Sequence, residues 1–194
     1  TWQVLGNQIL MAPTNAPDLS GTPAPLADAL ERLLPGIKQQ LKLTRFPFPL
    51  NTDAWDGYPA SRARLLQSIR AAGGNTIVIT GDSHTAWANE INDDEGRVAV
   101  EFGATSITSP SDASFFQPFG IDFAASTIAR NPHVKWNDPV LHGYIVLTLT
   151  PAQALAEFFT VSTIREAQYA VARAAAFTVA ADAGPGVGAI VEAS

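Results

Sequence analysis

The sharpest chemistry in this sequence lies in four residues, Gly81-Asp82-Ser83-His84. They follow Thr76-Ile77-Val78-Ile79-Thr80, an uninterrupted β-branched run of the kind that makes a strand buried on both faces. Open α/β sheets bind ligands at the C-terminal ends of such strands. Alternate residues of an extended turn point to one side, so Asp82 and His84 can converge on one centre. A carboxylate with an imidazole suits iron, zinc or manganese, and the carboxylate alone suits calcium. A plainer reading stands beside this one. Asp82 would cap a helix starting near Thr85, and His84 would be a partly buried, hydrogen-bonded side chain.

The second candidate is Asp53-Ala54-Trp55-Asp56-Gly57-Tyr58-Pro59, followed by Arg62. It falls at the start of a predicted helix, where free N–H groups and the helix dipole favour an anion. Arg62, one turn in, could grip a phosphate with two hydrogen bonds. Capping explains the same residues: Asp56 is a good N-cap, and Trp55 and Tyr58 can be packing anchors. His133 and His142 have no carboxylate at ligand spacing and read as structural or exposed. Asn7-Gln8 breaks a strand pattern and reads as a β-bulge. Ser106, Thr108 and Ser109 lack a Gly-x-Ser-x-Gly elbow, which speaks against a serine hydrolase.

The elements that position these groups follow an α/β pattern. Trp2–Met11 reads as a strand interrupted at Gly6-Asn7, and residues 12–25 as loop. Leu26–Leu34 reads as an amphipathic helix stopped by Pro35-Gly36, and Lys38–Pro49 as a surface excursion. A helix follows from Pro59 to about Ala72, with Leu65, Leu66 and Ile69 inward and Arg62, Arg64, Gln67 and Arg70 outward. Gly73-Gly74 ends it. After the Thr76–Thr80 strand come a short helix over Ala86–Ile91, a turn at 92–96 and a strand over Arg97–Phe102. Residues 114–130 show helical spacing. Gly143–Thr150 and Ala154–Val161 read as an antiparallel pair around Pro151-Ala152. Arg165–Ala176 fits either a helix or a loop plus strand.

The chain of 194 residues carries a net charge of −6, with 46% hydrophobic and 15% charged residues, which is the balance of a chain that buries a core. Without a Lys/Arg block it offers no nucleic-acid or anionic-membrane platform. Zero cysteines exclude disulfides, thiolate metal sites and a Cys nucleophile. No apolar run is long enough to span a bilayer, and no signal-like segment opens the chain. Thr1 leads straight into a strand, as expected of a chain cut from a longer precursor.

Taken together, Trp2 to Gln8, Asp53 to Arg62, Ile79 to His84, and Val100-Glu101-Phe102 with Thr105 to Pro110 stand in an order that resembles the C-terminal half of a PhoD-like alkaline phosphatase. His142 to Leu147 and Phe177 to Val179 resemble that family's end. The resemblance implies the α/β metallophosphoesterase fold, a sandwich of two β-sheets flanked by helices, with a metal cluster at the strand ends. It makes residues 1–194 the C-terminal portion of the domain, with a Pro-rich surface excursion over 12–50 and a weakly ordered tail over 183–194. It further implies a hydrolase of phosphate monoesters and diesters, periplasmic or secreted, using iron and calcium, or zinc or manganese in some members. A hydroxide bridging the metals would attack phosphorus. Asp82 and His84 match the family's final metal-binding motif, and Tyr58 and Arg62 become candidate substrate contacts. The family's other ligands belong to an N-terminal half absent from these residues, so a precursor segment or second chain is implied as a partner. The alternative is a non-catalytic remnant or interaction module that kept the fold pattern.

Overall fold

Strand β2 (Asn75–Thr80) is the axis of the structure, a computed structural model that describes residues 1–182 and 186–193. It lies between β1 (Trp2–Gly6) and β4 (Gly96–Gly103) and is parallel to both, as its lack of a polar face requires. Strands β3 (Ala86–Asp93) and β5 (Val134–Asp138) extend this sheet antiparallel, in the order β1-β2-β4-β3-β5. Strand β1 ends at Gly6 with no register shift against β2, so the expected bulge at Asn7-Gln8 is not there.

Ala86–Ile91, expected as a helix, is part of β3, and this corrects the sequence reading. The run is rich in alanine, but helix preference amounts to only tenths of a kcal/mol per residue. Ladders with β4 and β5 on its two sides, and a tight turn whose Gly96 has φ 115°, override it. The small side chains of Ala86 and Ala88 face a core of large aromatics.

A second, antiparallel sheet holds β6 (Gly143–Leu149), β7 (Gln153–Val161), β8 (Val171–Ala180) and β9 (Ile190–Glu192), in that order. The β6–β7 pair is the one expected around Pro151-Ala152, and the ambiguous 165–176 stretch resolves as loop plus strand. The two sheets pack face to face: Ile77, Ala88, Val100 and Phe102 of the first meet Ala156, Phe158, Phe177 and Val179 of the second. Phe158 stands edge-on to Trp136 at 4.7 Å and to Phe177 at 5.9 Å, favourable ring geometry. Of the tail expected to be weakly ordered, residues 183–185 and 194 lie outside the described residues. Elsewhere in it Val187 and Ile190 are buried. Arg97 donates to the Val187 carbonyl at 3.2 Å, and the Ile190 N–H donates to Glu90 at 3.2 Å. Those tethers come from the first sheet and leave no trace in the composition of the tail.

Helix α3 (Pro59–Ala72) covers the other face of the first sheet, with Leu66 and Ile69 against Val78, Ile91 and Val98. Gly73, at φ 67°, follows its last residue. Helix α1 (Ala24–Leu33) and helix α2 (Ile37–Leu43) pack Leu30, Ile37 and Leu41 together with Leu19. The α2 helix occupies part of the stretch expected to be irregular; Gly36, at φ 92°, turns the chain into it. Helix α4 (Phe123–Arg130) precedes β5. Among the described residues no helix is long and apolar enough to cross a membrane.

Candidate functional site

At the end of β2 the chain makes a tight turn in which the Ser83 N–H donates to the Gly81 carbonyl at 2.8 Å. Both Asp82 (φ 66°) and His84 (φ 53°) adopt left-handed backbone there. That conformation costs about 1–2 kcal/mol for a residue with a Cβ, less for Asp, and in native proteins it clusters at functional sites. The turn is held from beneath by the buried Trp87, whose indole N–H donates to Ser83 Oγ at 3.0 Å, while that hydroxyl donates to the Thr85 carbonyl at 3.3 Å. His84 Nδ1 lies 3.0 Å from the Pro110 carbonyl. A carbonyl only accepts, so Nδ1 carries a proton, which leaves Nε2 as the nitrogen that bears the lone pair of the neutral ring. The capping alternative for Asp82 fails, because β3 and not a helix follows the turn.

Asp82, Ser83 and His84 line a cavity of about 500 Å³ together with Ile9, Leu10, Ala12, Thr14 and Asp56. The donor chemistry of Asp82 and His84 fits a hard or borderline cation. Among the described residues no three of His, Cys, Asp and Glu gather where they could hold an ion.

Asp56, the expected helix cap, does something else. The N-cap position of α3 is Tyr58, without a side-chain hydrogen bond. Asp56 Oδ2 accepts the Thr14 N–H at 2.8 Å, and Oδ1 accepts from Arg62 at 2.5 Å in a largely buried pair. Arg62 is therefore engaged by Asp56 and borders a second cleft with Pro59 and Glu95. Tyr58 is exposed. Neither lines the cavity of Asp82 and His84. The link from Asp56 to Thr14 spans 42 residues, and no local pattern announces it.

Glu101 is the residue whose importance the sequence reading missed, although its signal was present: a carboxylate in the middle of an apolar strand. It is fully buried in β4. It accepts the Met11 N–H at 2.5 Å, the Ala12 N–H at 3.2 Å and the Asn89 amide at 2.8 Å. Burial pushes its carboxyl above the usual range, and these donors draw it partly back. His133 Nε2 donates to the Pro13 carbonyl at 2.5 Å, and burial pushes this imidazole down. His142 Nδ1 meets Ser106 Oγ at 3.1 Å. That hydroxyl donates to the Ser109 carbonyl, so Nδ1 is the donor in the pair and Ser106 is not an activated nucleophile.

The structure thus sets a turn at a strand end, with Asp82 and His84 beside a cavity, on a two-sheet α/β sandwich. Comparison gives the family: the PhoD-like phosphatase model matches residues 1–158, and the chain belongs to that family. Over 140 residues it is 34% identical to alkaline phosphatase D of Bacillus subtilis (strain 168), an alignment covering 67% of this chain and 22% of that protein. A solved structure of PhoD superposes with a TM-score of 0.67 at 28% identity, covering all of this chain and 31% of that one. The chain thus spans between about a fifth and a third of the length of these relatives.

Proposed function

We propose that this chain carries part of the metal centre of a phosphate-ester hydrolase of the alkaline phosphatase and phosphodiesterase type, with Asp82 and His84 as two of its ligands. One observation supports this reading above the others: in a member of this family, both side chains come from left-handed positions on one turn and line one cavity. Two-ion phosphoester hydrolysis needs enough ligands to hold metals about 3.5–4 Å apart. Asp82 and His84 are too few, so the remaining ligands come from a further segment, an N-terminal half joined to this chain or supplied as a second one. Iron and calcium are the metals of this reading; zinc or manganese also fit a carboxylate with an imidazole. Its setting is periplasmic or extracellular.

The bound metals would supply the charge that activates water and neutralises the phosphoryl oxygens. The chain's own residues do the rest. Asp82 offers carboxylate oxygens, and His84 offers Nε2 because Pro110 holds the proton on Nδ1. Ser83 and Trp87 keep the turn in place. Arg62 acts by orienting Asp56, and exposed Tyr58 stays available to an ester reaching beyond the cavity.

A second reading, a globular module that kept the fold and lost the chemistry, is supported by the fact that Asp56, the third acidic or imidazole side chain at this cavity, is paired with Arg62. Assaying p-nitrophenyl phosphate hydrolysis with added iron and calcium separates the two. The chain alone is expected to be inactive, and the chain joined to the remaining length of the family domain to be active. Inactivity of the joined protein would favour the module, and full activity of the chain alone would overturn the claim that the site is shared.

A further inference from the structure

The segment from Met11 to Asn15 has no regular secondary structure beyond one isolated bridge, yet each of its backbone N–H and C=O groups has a partner. Glu101 takes the Met11 and Ala12 N–H groups. Asp56 takes that of Thr14 at 2.8 Å and Asn131 that of Asn15 at 2.8 Å. On the acceptor side, Arg62 reaches the Met11 carbonyl at 3.5 Å, and the Thr14 hydroxyl donates to the Ala12 carbonyl at 3.2 Å. His133 holds the Pro13 carbonyl, the Leu50 N–H that of Thr14, and Asn131 that of Asn15. Loops are normally solvated at the surface and mobile. Here side chains from β4, the Trp55–Gly57 turn, α3 and the end of α4 fix a loop whose Ala12 and Thr14 line the cavity of Asp82 and His84.

Within this network Glu101 contributes the most deeply buried hold. It has no exposure to solvent, and it sits on the strand next to β2, whose end carries the Asp82–His84 turn. We propose that Glu101 is a positioning residue: through the backbone of Met11 and Ala12 it fixes the Ile9–Thr14 wall of the cavity and so sets how tightly a phosphate ester is held. The inference rests on the hydrolase reading above. Asn131 acts on the same wall from its other end, through both backbone groups of Asn15.

The test uses the active, completed protein and p-nitrophenyl phosphate. Glu101→Met keeps side-chain length and leaves both loop N–H groups without an acceptor. It should raise KM about 10-fold or more with a smaller change in kcat, since a wall displaced by a fraction of an ångström misplaces the bound ester. Glu101→Gln keeps an oxygen for the Met11 N–H, the shorter of the two loop contacts, while Ala12 and Asn89 lose theirs, and should leave KM between those of the parent and Glu101→Met. Val98→Ala, a core change of β4 away from the cavity, should lower Tm and leave KM unchanged. Should Glu101→Met not fold, Asn131→Ala carries the same expectation of a raised KM. A parental KM in Glu101→Met, or in Asn131→Ala in its stead, would overturn the proposal, as would Glu101→Gln no better than Glu101→Met. Asp82→Asn separates the two levels. If it abolishes turnover while Glu101→Met keeps KM, the positioning role alone fails; if it leaves turnover intact, the hydrolase reading fails and takes the positioning role with it.

Discussion

Asp82 and His84, two residues apart just after β2, both hold left-handed backbone, at φ 66° and 53°. Strain of this kind in two neighbouring non-glycine residues is kept where the side chains are needed. Glycine adopts the same backbone freely, so His84→Gly should leave Tm equal or higher while lowering metal affinity. Differential scanning calorimetry with metal titration checks both. A Tm that falls, with metal affinity intact, would mean that His84 is there for packing.

Ser83 joins that turn to the core. Removing its hydroxyl leaves the indole N–H of Trp87, a residue only 2% exposed, without its acceptor. Ser83→Ala should therefore destabilise by about 1–3 kcal/mol in urea unfolding, the usual range for a buried donor left unpaired. A change below a few tenths of a kcal/mol would show that water replaces the hydroxyl.

His133 makes stability pH-dependent in a definite direction. Its folded pKa lies below the ordinary 6.5, chiefly through burial. The unfolded chain then takes up the proton first, so this contribution is complete above 6.5 and is lost as pH falls through the depressed folded value. His133→Gln keeps a donor for the Pro13 carbonyl and should flatten that part of the acid limb. Thermal melts in steps below pH 7 would contradict this if parent and variant lost stability in parallel.

Phe158 sits where the two sheets meet, edge-on to Phe102, Trp136 and Phe177. Phe158→Ala should cost about 3–5 kcal/mol, the range for emptying a buried aromatic site. Denaturant midpoints at unchanged slope measure it, and a loss under about 1 kcal/mol would mean that the sandwich core collapses around the gap.

What the sequence disclosed was what local pattern encodes. The β-branched run of 76–80 specified an interior strand parallel to its neighbours, although β4 and not β2 stands at the centre of the sheet, and Pro59 with Gly73 bracketed α3 within the bounds the structure shows. Asp82 and His84 stood out because they directly follow that strand. Legibility failed where tertiary partners decide. Ala86–Ile91 lacks β-branched residues apart from Ile91, and only pairing on both sides makes it a strand. The roles of Asp56 and Glu101 depend on backbone groups 42 and about 90 residues away, which no window on the sequence contains.

Metal content shows whether Asp82 and His84 are ligands of a shared phosphoesterase site. Asp82→Asn preserves shape and tolerance of the left-handed backbone while removing the charge. In the completed protein, metals per chain should be counted by mass spectrometry, with turnover of p-nitrophenyl phosphate measured on the same samples. The expected result is a folded variant, with the parent's Tm when both are stripped of metal, that has lost bound metal and whose turnover is reduced more than about 100-fold, beyond the range typical of residues that merely support a ligand. A variant with the parent's metal content and turnover would contradict it.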